Sequence, residues 1–288
     1  MLDRDQLRRS YDAVRRACRA DWRSDDAGQA IIDLAVIALQ FLDTDCDRVG
    51  LTSLAHGKEY VSFERNGVVA RPVNRAYFTD DWEVIAQDWR RFAIGNLNAG
   101  QIERMMYTVA LAPCLAIELF NRNDKKSPAT YFECMVGHLF AKSLGIEPTR
   151  SASLPVAGRR VRMTMDFLFE TAEDLPNIHL PVKMSTRERV VQAWSHQRLL
   201  DSAYGSGSYQ GTLVAFSETK LDARKGEVVE ICVPDQWLAY QTLLARMERI
   251  YYFDTPVRYQ ELTNNFGELI DIKPFHTFFT EIAPVAGQ

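Results

Sequence analysis

The sequence predicts an α/β (α+β) fold, a mixed central sheet flanked by helices, with a mainly helical elaboration at its N-terminal end. Two patterns predict it. From Gly158 onward, short apolar runs alternate with stretches of helical periodicity, as expected of a sheet with helices on its faces. Before that point, helical spacing dominates and is broken by one hairpin signal. Length and composition agree: 288 residues, 47% hydrophobic and 25% charged, can bury a substantial core in an ordinary globular protein.

In chain order, Asp3 to Trp22 carries Leu7, Tyr11, Val14 and Cys18 at helical spacing, with arginines on the other faces. The run Ala27 to Leu42 is more apolar and predicts a buried helix. Between Glu59 and Val73 an alternating pattern turns on Asn66-Gly67, which predicts a hairpin. Asp80 or Asp81 then caps a helix through Trp82, Ile85, Trp89 and Phe92, and another helix is expected over Gln101 to Leu119. Ser127-Pro128 opens a helix whose buried stripe is Phe132, Met135, Val136, Leu139 and Phe140, ended by Gly145. Gly158 to Glu170 and Asn177 to Met184 predict neighbouring strands. A helix from Ser185 to Tyr204 follows, capped by Ser185 or Thr186. Thr212 to Phe216 and Glu227 to Val233 read as further strands, and Asp235 to Ile250 as a helix. The tail from Tyr251 is aromatic, with Phe275, Phe278 and Phe279. No repeat and no clear linker divides the chain.

Several function classes lose support at this level. A formal net charge of −4 argues against a nonspecific nucleic-acid coat, yet leaves room for a local basic surface. The five cysteines are scattered without a CxxC pairing, so reduced cytoplasmic thiols are expected rather than a structural zinc. No apolar run reaches the ~20 residues of a membrane span, and Met1 to Ser10 lacks a signal-peptide stretch. There is no GxSxG elbow, and Gly205-Ser206-Gly207 lacks the lysine of a phosphate loop.

The chemistry concentrates between Met165 and Asp201. Asp166 follows a run of alternating charged and apolar residues, Arg160 to Met163, and Lys183 ends a second apolar run. A carboxylate and an ammonium on adjacent strands suit metal-assisted hydrolysis of a phosphodiester. The acid holds a hard divalent cation while the lysine faces the attacking water and the phosphate. This Asp166…Lys183 order, with Glu133 on an upstream helix, resembles the PD-(D/E)XK nucleases. The run Lys183 to Arg189, KMSTRER, resembles the branch of type II restriction endonucleases that read CCGG or CCNGG sites. In that branch a Lys-x-Ser/Thr-x-Arg/Lys-Glu/Asp-Arg run joins the catalytic strand to the recognition helix. The spacing from Lys183 to Arg187 and the unbroken Arg187-Glu188-Arg189 are closest to the CCNGG readers. The resemblance spans Ser127 to about Asp201.

It implies a PD-(D/E)XK nuclease core over 126–288, with 1–125 as a helical and hairpin elaboration that grips DNA or dimerises. Asp166, Lys183 and Glu133 are the expected catalytic residues, with Asp166 and Glu133 holding Mg2+, for which Mn2+ can substitute. Arg187, Glu188 and Arg189 offer donor, acceptor and donor to consecutive G·C pairs, since arginine pairs with guanine O6 and N7 and glutamate accepts from cytosine N4. A twofold homodimer, with a tetramer left open, would present the set to both halves of a palindrome. The CCNGG readers can extrude their central nucleotides, and Trp82, Trp89, Tyr60 and Tyr77 are candidate stacking platforms. A DNA methyltransferase is the expected companion.

The sequence departs from the pattern at one point. The second acid, expected on the recognition helix thirteen positions after the lysine, is replaced by His196, followed by Gln197. The other usual position, two before the lysine, holds Pro181. His196 could lend an imidazole or Gln197 an amide oxygen. Two other readings stay open: a repair or structure-selective nuclease on the same fold, and a sequence-specific DNA-binding protein whose nuclease core has decayed.

Overall fold

A computed structural model describes residues 3–93, 95–172, 176–186 and 190–281. The chain forms two compact units, Met1–His138 with Thr219–Ile231, and Leu139–Glu218 with Cys232–Gln288.

The first unit combines helices with a six-stranded sheet. Helix α1 (Arg4–Ala20) is capped by Asp3, whose side chain accepts from the Gln6 N–H, and it buries Leu7, Val14 and Cys18. Helix α2 (Asp25–Asp45) buries Ile31, Leu34, Ala35, Ala38 and Leu39. By length and composition α2 is apolar enough to cross a membrane, which corrects the expectation that no run reaches that length. Most of that apolar stretch is buried inside the protein, as in a core helix. Strands β1 (Asp47–Ser53), β2 (Tyr60–Arg65), β3 (Val68–Val69) and β4 (Val73–Asn74) follow. The predicted hairpin is present. Asn66 and Gly67 both adopt positive φ, at 52° and 75°, which a tight two-residue turn requires.

Helix α3 (Trp82–Ala93) is capped by Asp81, which accepts from the Glu83 and Val84 N–H groups, while Asp80 pairs with Arg48. Helix α4 (Ala99–Phe120) starts at a capping box of Asn98 and Gln101 and is buried from Met105 to Leu119. Helix α5 (Lys126–Leu144) begins one residue before the predicted start. Its cap is Asp124, whose carboxylate accepts from the Lys126 and Ser127 N–H groups, so Ser127 is the capped residue rather than the cap.

The second unit holds a seven-stranded mixed sheet. Strands β5 (Thr149–Val156), β6 (Arg159–Phe169) and β7 (Asn177–Leu180) are antiparallel. Pro181 interrupts the next run, so β8 (Val182–Lys183) is a separate strand, and both β7 and β8 pair in parallel with β9 (Tyr209–Ala215). Helix α6 (Val190–Tyr204) buries Val190, Ala193, Trp194, Gln197 and Leu200, a one-face stripe at helical spacing.

The strand read at Glu227 to Val233 is β11 (Glu227–Glu230). It pairs with β10 (Thr219–Asp222) and, in parallel, with β1, and so belongs to the sheet of the first unit. The predicted helix to Ile250 stops early. Helix α7 (Pro234–Leu243) gives way to β12 (Met247–Tyr252), because Ile250, Tyr251 and Tyr252 favour a pleated surface and find β9 as a partner. Helix α8 (Val257–Phe266), β13 (Ile272–Pro274), a 3-10 turn at Phe275–Thr277 and α9 (Phe278–Glu281) complete the unit. Val190, Trp194, Trp237, Ile250, Tyr252 and Tyr259 anchor its main apolar core.

Candidate active site

Asp166 sits where β6 loses register with β5. Thr149 pairs with Leu168, but Ser151 pairs with Thr164, leaving an irregular stretch around Asp166. Irregularities of this kind re-aim side chains beside active sites. Arg150, opposite the irregularity, donates from Nε to the Asp166 main-chain oxygen at 3.0 Å and lies over the Phe167 ring.

Lys183, at the end of β8, donates from Nζ to Asp166 Oδ2 at 2.6 Å, and the Val182 N–H donates to the same oxygen at 2.9 Å. The carboxylate and ammonium are thus in direct contact, although the strand paired with β6 is β7 and Lys183 stands on β8, which pairs with β9. Both are part-buried, the lysine side chain 15% exposed and the aspartate 23%. Pro181 contributes by ending β7, so that the chain restarts as β8 with Lys183 beside Ala215 of β9.

Helix α6 brings His196 and Gln197 to this part of the unit, and the two behave differently. Half-buried His196 has a lowered pKa. Burial is the main cause, Lys183 adds to it and Asp166 opposes it, so the imidazole lies within the field of the Asp166–Lys183 pair. Gln197 is buried and committed. Its amide nitrogen donates to Asp201 Oδ1 at 2.9 Å and to the Tyr209 carbonyl at 2.8 Å, and its amide oxygen meets His179 Nδ1 at 3.0 Å. The amide oxygen expected to be on offer is therefore taken by His179.

Two acceptors on the Gln197 amide nitrogen orient the amide, so His179 Nδ1 carries the proton. Burial pushes the His179 pKa down to about 4, with Gln197 and Asp166 opposing and His196 and Lys183 reinforcing the shift. The ring is fully buried, stands 6.3 Å from that of His196, and its Nε2 has no hydrogen-bond partner among the described residues. Gly211, paired with His179 across β7 and β9, makes room for this link. A Cβ there would stand 2.9 Å from Gln197 Oε1 and collide with Met247 Sδ.

The site fits a hard divalent cation through Asp166, whose Oδ1 carries no hydrogen bond among the described residues, both contacts falling on Oδ2. Among the described residues no three His, Cys, Asp or Glu side chains form a ready metal cluster. A cation bound at Asp166 would complete its shell with water, main-chain oxygen or phosphate, as Mg2+ commonly does.

Glu133 lies on α5 between buried Phe132 and Cys134, is half-buried, and belongs to the first unit, whereas Asp166 belongs to the second. Arg187, Glu188 and Arg189 lie outside the described residues. Of the aromatic candidates, Tyr60 is 2% exposed and packs with Ala55 and Val228, a core position rather than a platform. Trp82, Trp89 and Tyr77 are half-buried; Trp89 packs on Phe92 and Tyr77 on Tyr107. Sequence reading missed His179 and Glu218. Glu218 is buried and gathers Ser185 Oγ, the Thr186 N–H and hydroxyl, and the Tyr252 phenol. The only sequence sign of either residue is a polar group next to an apolar strand.

No family model and no curated protein matches the sequence. Among solved structures, the crystal structure of the Type IIP restriction endonuclease Kpn2I matches 97% of this chain and 97% of its own, with a TM-score of 0.82 and 25% identity. The restriction endonuclease PspGI–substrate DNA complex matches 70% of this chain and 91% of that chain, with a TM-score of 0.43 and 14% identity. The fold is that of a PD-(D/E)XK restriction endonuclease.

Proposed function

We propose that this protein is a type II restriction endonuclease. In this reading it cleaves double-stranded DNA in a divalent-metal-dependent reaction, at a palindrome with a CC/GG element in each half. The observation that carries the reading is the 2.6 Å contact between Lys183 at the end of β8 and Asp166 on β6, in a fold that matches Kpn2I over nearly its whole length.

Asp166, together with Glu133, is assigned to hold Mg2+, with Mn2+ as a substitute, and His196 stands in for the second acid. The cation, when bound, neutralises phosphate charge and stabilises the leaving oxygen. Lys183 holds the attacking water against the phosphorus and screens the charge that develops on the phosphate. Water adds to phosphorus, the P–O3′ bond breaks, and the 3′ oxygen takes up a proton, leaving a 5′ phosphate and a 3′ hydroxyl.

Arg187, Glu188 and Arg189 are assigned to read consecutive G·C pairs, each good bidentate contact giving ~1–3 kcal/mol of discrimination. Their unbroken spacing after Lys183 supports a CCNGG-like site with extruded central nucleotides, for which Trp82, Trp89 and Tyr77 remain the candidate platforms. A homodimer would supply one set per half-site, and a companion DNA methyltransferase would protect the host's own sites.

The test is digestion of a mapped plasmid in Mg2+ by the wild-type chain, Asp166→Ala and Lys183→Ala, alongside duplex binding. Each variant should cut about a thousandfold more slowly or less while still binding the specific duplex. Full cleavage by either variant would refute the assignment.

A further inference from the structure

We propose that Glu218 is a positioning residue for sequence recognition, fixing the link between the catalytic lysine and the residues assigned to base reading; the proposal rests on the function proposed above. The chain from Lys183 to Thr186 is fastened residue by residue to the chain from Phe216 to Glu218. The Phe216 N–H donates to the Lys183 carbonyl at 2.9 Å, and the Ser217 N–H to the Met184 carbonyl at 3.3 Å. The Glu218 side chain then takes over. Oε2 accepts from Ser185 Oγ at 2.8 Å, and Oε1 accepts from the Thr186 N–H at 2.8 Å and from Thr186 Oγ1 at 2.6 Å.

Tyr252 closes the set, its phenol donating to Oε1 at 2.9 Å. Burial, reinforced by Glu218, pushes the Tyr252 pKa well up, so the phenol keeps the proton it donates. Glu218 and Thr186 are each 1% exposed. A carboxylate is the side chain that can accept from this many donors at once.

This arrangement differs from what the sequence suggests. Ser185 and Thr186 look like helix caps, yet the hydroxyls of both point to Glu218. Four residues past Thr186, Val190 is 2% exposed in the main core of the second unit. Both chain positions flanking 187–189 are therefore anchored, one by a buried carboxylate and the other by apolar packing. On this account Glu218 acts on discrimination rather than on phosphodiester chemistry. It holds Ser185 and Thr186, in the chain that joins Lys183 to the residues assigned to base reading.

The experiment compares cleavage of a CC/GG duplex with duplexes carrying one altered C·G pair, using the wild-type chain, Glu218→Ala, Glu218→Gln and Ser185→Ala, with a thermal melt of each. Glu218→Ala should lose about tenfold or more of the cognate-to-altered rate ratio. Glu218→Gln, which keeps an acceptor for Thr186, should recover part of that loss, and Ser185→Ala should show a smaller loss. If Glu218→Ala does not fold, the glutamine and Ser185→Ala chains decide the matter. An unchanged ratio in the folded variants, whatever their melting temperatures, would overturn the proposal and leave Glu218 a stabilising residue only. A wild-type chain that does not discriminate the altered duplexes would instead overturn the function on which the proposal rests.

Discussion

At the scale of single residues, the Asp166–Lys183 contact was legible because a motif spacing encodes it. The polar network around it was not. His179 and Asp201 look unremarkable in the sequence and Gln197 stands out only as a possible ligand, since nothing local states that a strand histidine and a helix glutamine will meet at 3.0 Å. His196 stands where the pattern calls for an acid, and its imidazole is a softer ligand than Mg2+ prefers. Restoring the acid with His196→Glu should raise the cleavage rate in Mg2+ several-fold and narrow any advantage of Mn2+, measured under single turnover. A rate that falls in Mg2+ would argue against His196 as the replacement. His179 gives a second prediction, on the metal-free protein. Its folded pKa of about 4 lies below the ordinary value of 6.5, so the unfolded chain binds more protons between those limits. Stability from this group is therefore fully present above about pH 6.5 and falls on acidification toward pH 4. Denaturant melts across that window should show a shallower pH slope for His179→Gln, and an identical slope would contradict the buried neutral imidazole.

At the scale of elements, apolar alternation and turn chemistry carried most of the reading. The Asn66-Gly67 hairpin, the strand holding Asp166, the run broken at Pro181 and a helix ending at Tyr204 all appear in the structure. Elements fixed by partners far away in sequence were harder to read. Strand β12 was read as helix because Arg246 to Ile250 contains no breaker, and only pairing with β9 makes it extended. Strand β1 escaped because its burial merely alternates between exposed and half-exposed. Gly211 is the element-scale test of the site's architecture, since it lets β9 pass beneath Gln197. Gly211→Ala should destabilise the protein by about 1–3 kcal/mol, because Met247 and Gln197 must move, and chemical denaturation would measure it. A neutral result would mean that the Gln197–His179 link tolerates displacement.

At the scale of the whole molecule, the late hairpin of β10 and β11 returns to the sheet of the first unit, across a sequence distance that no local pattern reports. The overall class was still readable from the strand–helix alternation after Gly158, and the match to Kpn2I extends over 97% of both chains. What that architecture does to DNA is measured most directly by digesting a library of random-sequence duplexes in Mg2+ and sequencing every new end. Ends that carry 5′ phosphates and border a palindrome with CC in one half and GG in the other are the result predicted. Ends scattered without regard to sequence, ends that track DNA structure, or the absence of any new end would contradict the account.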